Sequence, residues 1–237
     1  MINAPLWALL SCCLVGLRLM FRIADIPNPI DLEFNNAIAH PDLWLWDAWT
    51  CVEEGNLHLY CLAVAKVFAQ RPVQPHDRNL YQFHIRHFLS QDNGETWRDR
   101  GVFLASSISE RRNIWSGSIL PRESGAFIGY TETKWPDPSH PFIQTICIGQ
   151  TRSFDEYDGL PAEIVSDPVR DYDEILEAGY YLSDRDSLGH INGEEGGPIM
   201  AWRDPFLYED EGSVLVFWSA KVGPRTPAIA SAKLAQN

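Results

Sequence analysis

Three short motifs of the sequence combine a tryptophan with side chains that could carry out chemistry. They are Trp46–Asp47, Trp115–Ser116 and Trp202–Arg203–Asp204. Cleavage of a glycosidic bond needs two carboxyl groups, one ionised and one protonated, on either side of that bond. Aromatic rings cover the apolar C–H surface of a sugar, while carboxylates and arginine hydrogen-bond its hydroxyl groups. The motifs therefore predict a carbohydrate site, provided that the fold brings them together.

The stretches around these motifs are short and apolar, alternate with a period of two, and are separated by turn residues. This pattern predicts β-strands that recur in cycles, each opened by one motif. A short helix is predicted at Tyr172–Ala178, inside the polar insertion Asp167–Gly197. The predicted strands are Leu43–Thr50, Leu57–Phe68, Tyr81–Ser90, Thr96–Leu104, Asn113–Leu120, Ala126–Thr133, Ile143–Gln150, a segment around Ile164, Ala201–Tyr208, Ser213–Lys221 and Pro227–Leu234.

Cycles of four strands with one signature at each start are typical of the blades of a β-propeller. Ser90–Trp97 also fits S-x-D-x-G-x-T-W, a turn pattern called the Asp box that recurs in propellers. We therefore predict an all-β fold, an incomplete propeller of two and a half to three blades over residues 41–237. Residues 1–40 form an apolar segment and a lead-in. Because the first strand of each blade lines the central funnel, the three motifs should meet there.

The motifs also resemble those of a known family. Leu45–Trp49 is similar to the V-W-D-S-W motif of levansucrases and inulosucrases, the five-bladed fructosyltransferases of the glycoside hydrolase family 68 type. Ile114–Ser118 resembles their W-S-G-S motif, and Trp202–Pro205 resembles their R-D-P motif. The three occur in the family's order, and the resemblance extends from about Pro41 to Lys221, which is the N-terminal part of such a propeller.

The resemblance implies a role for each site residue and a retaining reaction on sucrose or a related fructoside. Asp47 would be the nucleophile, and Asp204 would stabilise the transition state. In a retaining enzyme the two carboxyl groups lie about 5–5.5 Å apart. Fructosyl groups would pass to water or to sugar acceptors. The substrate would be bound by Trp46, Trp115, Ser116 and Arg203.

One element of the family is missing from the sequence, namely the glutamate that acts as general acid. The family carries it in a D-E-I-E-R-type motif well downstream of R-D-P. Here too few residues follow Asp204 for two further blades. Asp173–Leu176 is faintly similar but precedes Arg203 and lacks the arginine. We therefore expect little or no sucrose turnover from this chain.

The composition excludes several classes of partner. The formal net charge is −13 and no basic run occurs, so phosphate backbones and anionic lipids would be repelled. No cofactor motif and no CxxC pair are present. His84 and His87 point to opposite faces of a predicted strand, so a metal shared between them is not expected. The first twenty residues are apolar but lack positive charge before Arg18. The protein would be extracellular or periplasmic if this segment acts as a signal, and cytoplasmic otherwise.

Three other functions are alternatives to the fructosyltransferase hypothesis. An inverting arabinanase or xylosidase-like propeller would use Asp47 as a general base, with a carboxyl separation of roughly 6.5–9.5 Å. A sialidase is suggested by the Asp box and Phe21–Ile23, but it needs clustered arginines. A sugar-binding propeller fragment without catalysis would account for the missing acid. Glu194 and Glu195, in the glycine-rich loop before Trp202, could reach the mouth of the pocket or lie in a solvated loop. If sucrose were cleaved, Glu174, Glu194 and Glu195 would be the first candidates for the acid.

Overall fold

A computed structural model describes residues 37–106, 112–134, 142–159, 162–190 and 200–234. All of these residues belong to one compact unit, Asn36–Asn237. The N-terminal apolar segment and Phe21–Ile23 lie outside the described residues, as do Glu194 and Glu195. The division into a lead-in of residues 1–40 and a propeller domain of residues 41–237 stays a prediction.

The first sheet, blade 1, has four antiparallel strands. In spatial order these are β1 (Leu43–Glu53), β2 (Asn56–Ala65), β5 (His84–Ser90) and β6 (Arg98–Ala105). Between β2 and β5 the chain forms a small hairpin, β3 (Val67–Phe68) with β4 (Arg71–Pro72), and a 3₁₀ turn at Pro75–Leu80. Consecutive strands of the blade are thus neighbours in space, as in a propeller blade.

Blades 2 and 3 repeat this arrangement. Blade 2 contains, in spatial order, β7 (Arg112–Arg122), β8 (Gly125–Lys134), β9 (Gln144–Thr151) and β10 (Glu163–Ser166). Blade 3 contains β11 (Arg203–Asp210), β12 (Ser213–Gly223) and β13 (Thr226–Lys233). The insertion between them carries the helix α1 (Tyr172–Glu177) and a 3₁₀ turn at Arg185–Ser187. Two four-stranded sheets and a third of three strands confirm the predicted all-β propeller.

Two predicted strands need correction. The second was expected to run to Phe68, but β2 ends at Ala65 and the chain turns into the β3–β4 hairpin. The third was expected to begin at Tyr81, but β5 begins at His84. Asn113 explains the second difference, because its side chain accepts from the N–H of Phe83 at 2.8 Å and donates to the carbonyl of Tyr81 at 3.1 Å. These backbone groups are satisfied by a side chain and not by a strand partner.

Hydrophobic side chains fill the spaces between neighbouring blades. One cluster lies between blades 1 and 2, and a second joins blades 2 and 3 with α1. Burial of this area is the main stabilising contribution to the stack of blades. Members of the first include Tyr60, Leu62, Phe83, Ile85, Ile114, Ile128 and Tyr130, and members of the second include Ile146, Tyr172, Ile175, Trp202, Leu207, Val216 and Trp218.

A pair of histidines is buried between blades 1 and 2. The Nδ1 atom of His58 and the Nε2 atom of His87 lie 3.0 Å apart, and Tyr60 stacks on the ring of His87. Nδ1 of His87 also lies 3.6 Å from the carboxylate of Asp155. Burial lowers the pKa of His58, and it lowers the pKa of His87 to about 4 despite the nearby carboxylate. Both rings are therefore held mainly neutral near pH 7.

The Asp box forms the turn that the sequence predicts. Asp92 accepts hydrogen bonds from the hydroxyl of Ser90 at 2.7 Å and from the N–H of Thr96 at 2.8 Å. The hydroxyl of Thr96 donates to the other carboxylate oxygen of Asp92. These hydrogen bonds, led by those from Thr96, lower the pKa of Asp92 to about 2. The ionised carboxylate therefore closes the turn between β5 and β6.

We expect Asp92→Asn to lower the melting temperature at pH 7 by a few degrees, since the amide nitrogen cannot accept these bonds. Glu95→Gln, at an exposed position of the same turn, is the control and should have no effect. Because the pKa of Asp92 is lowered, the difference should persist at neutral pH and vanish as the pH falls towards 2. Thermal unfolding monitored by circular dichroism would measure it, and equal melting temperatures for the two variants would contradict the prediction.

Candidate active site

The first strand of every blade carries a β-bulge at its predicted motif. A bulge inserts one extra residue, bends the strand and re-aims nearby side chains. Bulges are common next to active sites. The pairing of β1 with β2 shifts between Trp46 and Ala48, that of β7 with β8 between Ile114 and Gly117, and that of β11 with β12 between Arg203 and Phe206. The three motifs therefore occupy equivalent places in their blades.

Asp47 and Asp204 adopt left-handed backbone conformations, with φ of 46° and 60°. The other non-glycine residues with positive φ in the described part of the chain all lie in turns. Inside a strand this conformation persists only where the surrounding structure imposes it, and such residues cluster at functional sites. Aspartate tolerates it better than most residues. Two predicted catalytic residues thus share one unusual backbone geometry.

Blade 2 contacts the predicted nucleophile directly. The hydroxyl of Ser116 donates a hydrogen bond to Oδ2 of Asp47 at 2.7 Å. Asp47 itself is exposed, so one carboxylate oxygen is held by the neighbouring blade while the residue remains open to solvent. This arrangement orients a carboxylate without burying it, as an attacking group requires.

The carboxylate of Asp204 has different surroundings. Its cationic partner is Arg203, whose Nε lies 3.4 Å from Oδ2. Its backbone N–H donates to the hydroxyl of Thr131 on β8 at 2.7 Å. Asp204 is therefore held by its own blade through the side chain and by blade 2 through the backbone.

Electrostatics link the two aspartates. Burial raises the pKa of Asp204; Arg203 opposes this effect and the negative charge of Asp47 adds to it. The two carboxylates are therefore close enough for one to influence ionisation of the other. A carboxyl pair of this kind, with unequal surroundings, can divide the roles of nucleophile and stabilising group.

The tryptophans of the motifs differ in their surroundings. Trp46 packs edge-on against Phe83 and Trp115 packs against Phe142, and both are half-buried near the bulges. Trp202 was expected beside the carboxylates, but only 2% of its surface is exposed and it lies in the core against Trp218. Trp46 directly precedes Asp47, whereas Arg203 lies between Trp202 and Asp204. Because side chains alternate along an extended chain, this extra residue gives Trp202 the opposite orientation from Trp46 relative to the bulge residue.

Three residues around Arg203 and Asp204 were missed in the sequence. They are Thr131, Ser219 and Lys221, which lie on second strands, where no motif marks them. Burial lowers the pKa of Lys221, and the charge of Arg203 lowers it further, so the lysine lies near Arg203. Pairing across the sheet would have indicated Ser219, which lies opposite Arg203.

The general acid is not identified among the described residues. Glu174 lies exposed on α1, and no hydrogen bond or ion pair of the described residues joins it to Asp47 or Asp204. Its neighbour Asp173 forms an ion pair with Arg185 at 2.6 Å. The described residues contain no group of three or more His, Cys, Asp and Glu side chains that could hold a metal ion. Within them no helix is long and apolar enough to cross a membrane.

Comparison with known proteins supports the fold. No family model and no curated protein matches the sequence. Solved structures do match, at a TM-score of 0.50 in each of three cases. They are a family 117 glycoside hydrolase from Zobellia galactanivorans (13% identity over 81% of this chain), a levansucrase variant from B. megaterium (17% over 77%) and a sucrose-6-phosphate hydrolase from Lactobacillus gasseri (17% over 80%).

The chain spans 52%, 43% and 32% of the length of these three proteins, respectively. At such low identity the likeness extends to the fold alone. The fold and the site together define this chain as part of a β-propeller that carries a pair of aspartates on the bulges of its first and third blades.

Proposed function

We propose that the chain carries the nucleophile part of a glycoside hydrolase or fructosyltransferase site of the levansucrase type. The observation that carries the proposal is the pair Asp47 and Asp204, which share a left-handed bulge conformation and lie close enough for the charge of Asp47 to raise the pKa of Asp204. Two of the solved structures with this fold are named as a levansucrase and a sucrose-6-phosphate hydrolase, which supports a fructoside as substrate.

In the proposed reaction, an oxygen of Asp47 attacks the anomeric carbon of the fructosyl unit of sucrose. The bond from this carbon to the glucosyl oxygen breaks, and that oxygen takes a proton from a general acid. Water or a sugar hydroxyl then attacks the fructosyl–enzyme ester, loses its proton to the same group and frees Asp47. The overall configuration is retained.

The surrounding side chains have distinct roles in this proposal. Ser116 orients Asp47 through its hydrogen bond to Oδ2. The raised pKa of Asp204 is compatible with a carboxyl group that hydrogen-bonds sugar hydroxyls and stabilises the oxocarbenium-like transition state while Arg203 limits its protonation. The half-buried rings of Trp46 and Trp115 would cover the apolar surface of the sugar.

Covalent trapping tests this proposal. We expect the chain, incubated with β-fructofuranosyl fluoride and quenched in acid, to gain the mass of one fructosyl residue at Asp47, as found by peptide mass spectrometry. Fluoride leaves without help from a general acid, so this step does not depend on which residue supplies the proton to sucrose. Asp47→Asn should abolish the adduct, whereas Asp42→Asn, at an exposed position just before β1, should leave it unchanged.

Two other outcomes would refute the proposal. Fluoride release that depends on Asp47 and inverts the configuration, without any adduct, would favour the arabinanase-like reaction, in which Asp47 activates water. Equal spontaneous hydrolysis with the native chain and Asp47→Asn would favour a propeller fragment without catalysis.

A further inference from the structure

Blade 2 holds both of the bulges that carry carboxylates. Ser116, on β7, donates to Asp47 of blade 1, and Thr131, on β8, accepts from the backbone N–H of Asp204 of blade 3. Pairing of Ile114 with Glu132 and of Gly117 with Tyr130 leaves Thr131 opposite the bulge that contains Ser116. The two contacts thus come from neighbouring positions of one sheet.

Thr131 is fully buried, and its hydroxyl is the acceptor for a backbone group that the bulge removes from regular pairing. A buried N–H needs a partner, and this one belongs to a residue with φ of 60°. Further along β11, the N–H of Leu207 donates to the hydroxyl of Ser118 at 2.9 Å. Two hydroxyls of blade 2 therefore hold β11, one at the Asp204–Pro205 bulge and one just beyond it, at Leu207.

We infer that Thr131 is a positioning residue for Asp204. Its hydroxyl keeps the backbone of Asp204 in the left-handed conformation and so directs the carboxylate towards Asp47. Together with Ser116, it makes blade 2 the spacer that sets the separation of the two carboxyl groups. The separation matters because Asp204 can stabilise the oxocarbenium-like transition state only if it lies close to the carbon that Asp47 attacks, so this inference rests on the proposed function.

The test measures the coupling between the two carboxylates without any substrate. The titration of the Asp204 carboxyl carbon would be followed by NMR in the native chain and in Asp47→Asn, with Asp204→Asn to assign the signal. Removing the charge of Asp47 should lower the pKa of Asp204, because that charge raises it. The size of this shift reports how close the carboxylates are.

We expect the shift caused by Asp47→Asn to fall by half or more in a Thr131→Val background, since valine has nearly the same shape but no hydroxyl. Thr131→Ser, which keeps the hydroxyl, should restore the native shift. Thr133→Val, at another buried threonine of β8, is the matched control and should leave the shift unchanged. If Thr131→Val does not fold, Thr131→Ala, which adds no bulk, replaces it in the same comparison.

The inference is overturned if Thr131→Val lowers the melting temperature but leaves the Asp204 titration and its response to Asp47→Asn as in the native chain. It is also overturned if Thr131→Ser behaves like valine. Failure of the proposed function gives a different result: no fructosyl adduct in the native chain, with the coupling between the carboxylates still dependent on the Thr131 hydroxyl.

Discussion

In the first turnover, release of fluoride from β-fructofuranosyl fluoride by this chain is expected to be faster than release of glucose from sucrose by roughly 10²–10⁴-fold, the usual contribution of general acid catalysis. The physical reason is the leaving group. Fluoride departs as a stable anion, whereas the glucosyl oxygen of sucrose needs a proton as its bond breaks. No glutamate of the chain matches the acid motif of the levansucrase family, and Glu174 has no contact with the aspartates among the described residues.

Asp47 is the proposed nucleophile for both substrates. After subtraction of spontaneous hydrolysis, the rate of fluoride release should therefore fall in Asp47→Asn by a factor on the order of 10⁴ or more. Release of fluoride would be measured with an ion-selective electrode, and release of glucose from sucrose by a coupled assay. Asp42→Asn again serves as the control.

Comparable rates with the two substrates would contradict this prediction and would mean that an acid lies within the chain. Glu174→Gln, Glu194→Gln and Glu195→Gln would then be compared. The variant that lost sucrose turnover while keeping fluoride release would identify the acid, because only sucrose needs the proton.

The second large effect concerns stability in mild acid. His87 is fully buried and its pKa is lowered to about 4, whereas an unfolded histidine titrates near 6.5. As the pH falls below about 6.5, this histidine is protonated in the unfolded chain but stays neutral in the folded chain. The free energy of unfolding therefore decreases. Between pH 7.5 and pH 5, His87 alone should lower it by about 2 kcal/mol. His58 and His84, whose pKa values are also lowered by burial, act in the same direction.

Urea unfolding at a series of pH values would measure this loss. His87→Gln should reduce the steepness of the pH dependence by about one proton, because glutamine does not titrate and can still hydrogen-bond His58. His76→Gln is the control, since His76 is exposed and lies in the 3₁₀ turn after β4. An unchanged slope in His87→Gln would show that the buried pair is not the source of acid sensitivity.

Much of the architecture could be predicted from local patterns. Period-two alternation and turn residues located every blade, and the Asp box was recognised because its hydrogen bonds join residues close in sequence. The helix α1 ends within one residue of its predicted end at Ala178. The predicted start of β5 was wrong because of a residue distant in sequence: the side chain of Asn113 hydrogen-bonds the backbone of Tyr81 and Phe83, so the strand begins later.

Some features of the candidate site could likewise be predicted from the sequence, and others could not. The types and order of the motif residues can be read from the sequence, and from them we predict carbohydrate chemistry and a shared funnel. These residues are Asp47, Ser116 and Arg203–Asp204. Trp202 could not be placed correctly from the motif alone. Arg203 separates it from Asp204, whereas Trp46 directly precedes Asp47, and one residue reverses the face to which an extended chain directs a side chain.

Three further features depend on the tertiary structure alone: the left-handed backbone of both aspartates, the support that Thr131 gives to Asp204, and the effect of Asp47 on its ionisation. Each involves strands of different blades that are far apart along the chain. A hydrogen bond or a Coulomb interaction depends on distances of a few ångströms. Those distances are set by how the blades pack, and no local pattern of residues records them.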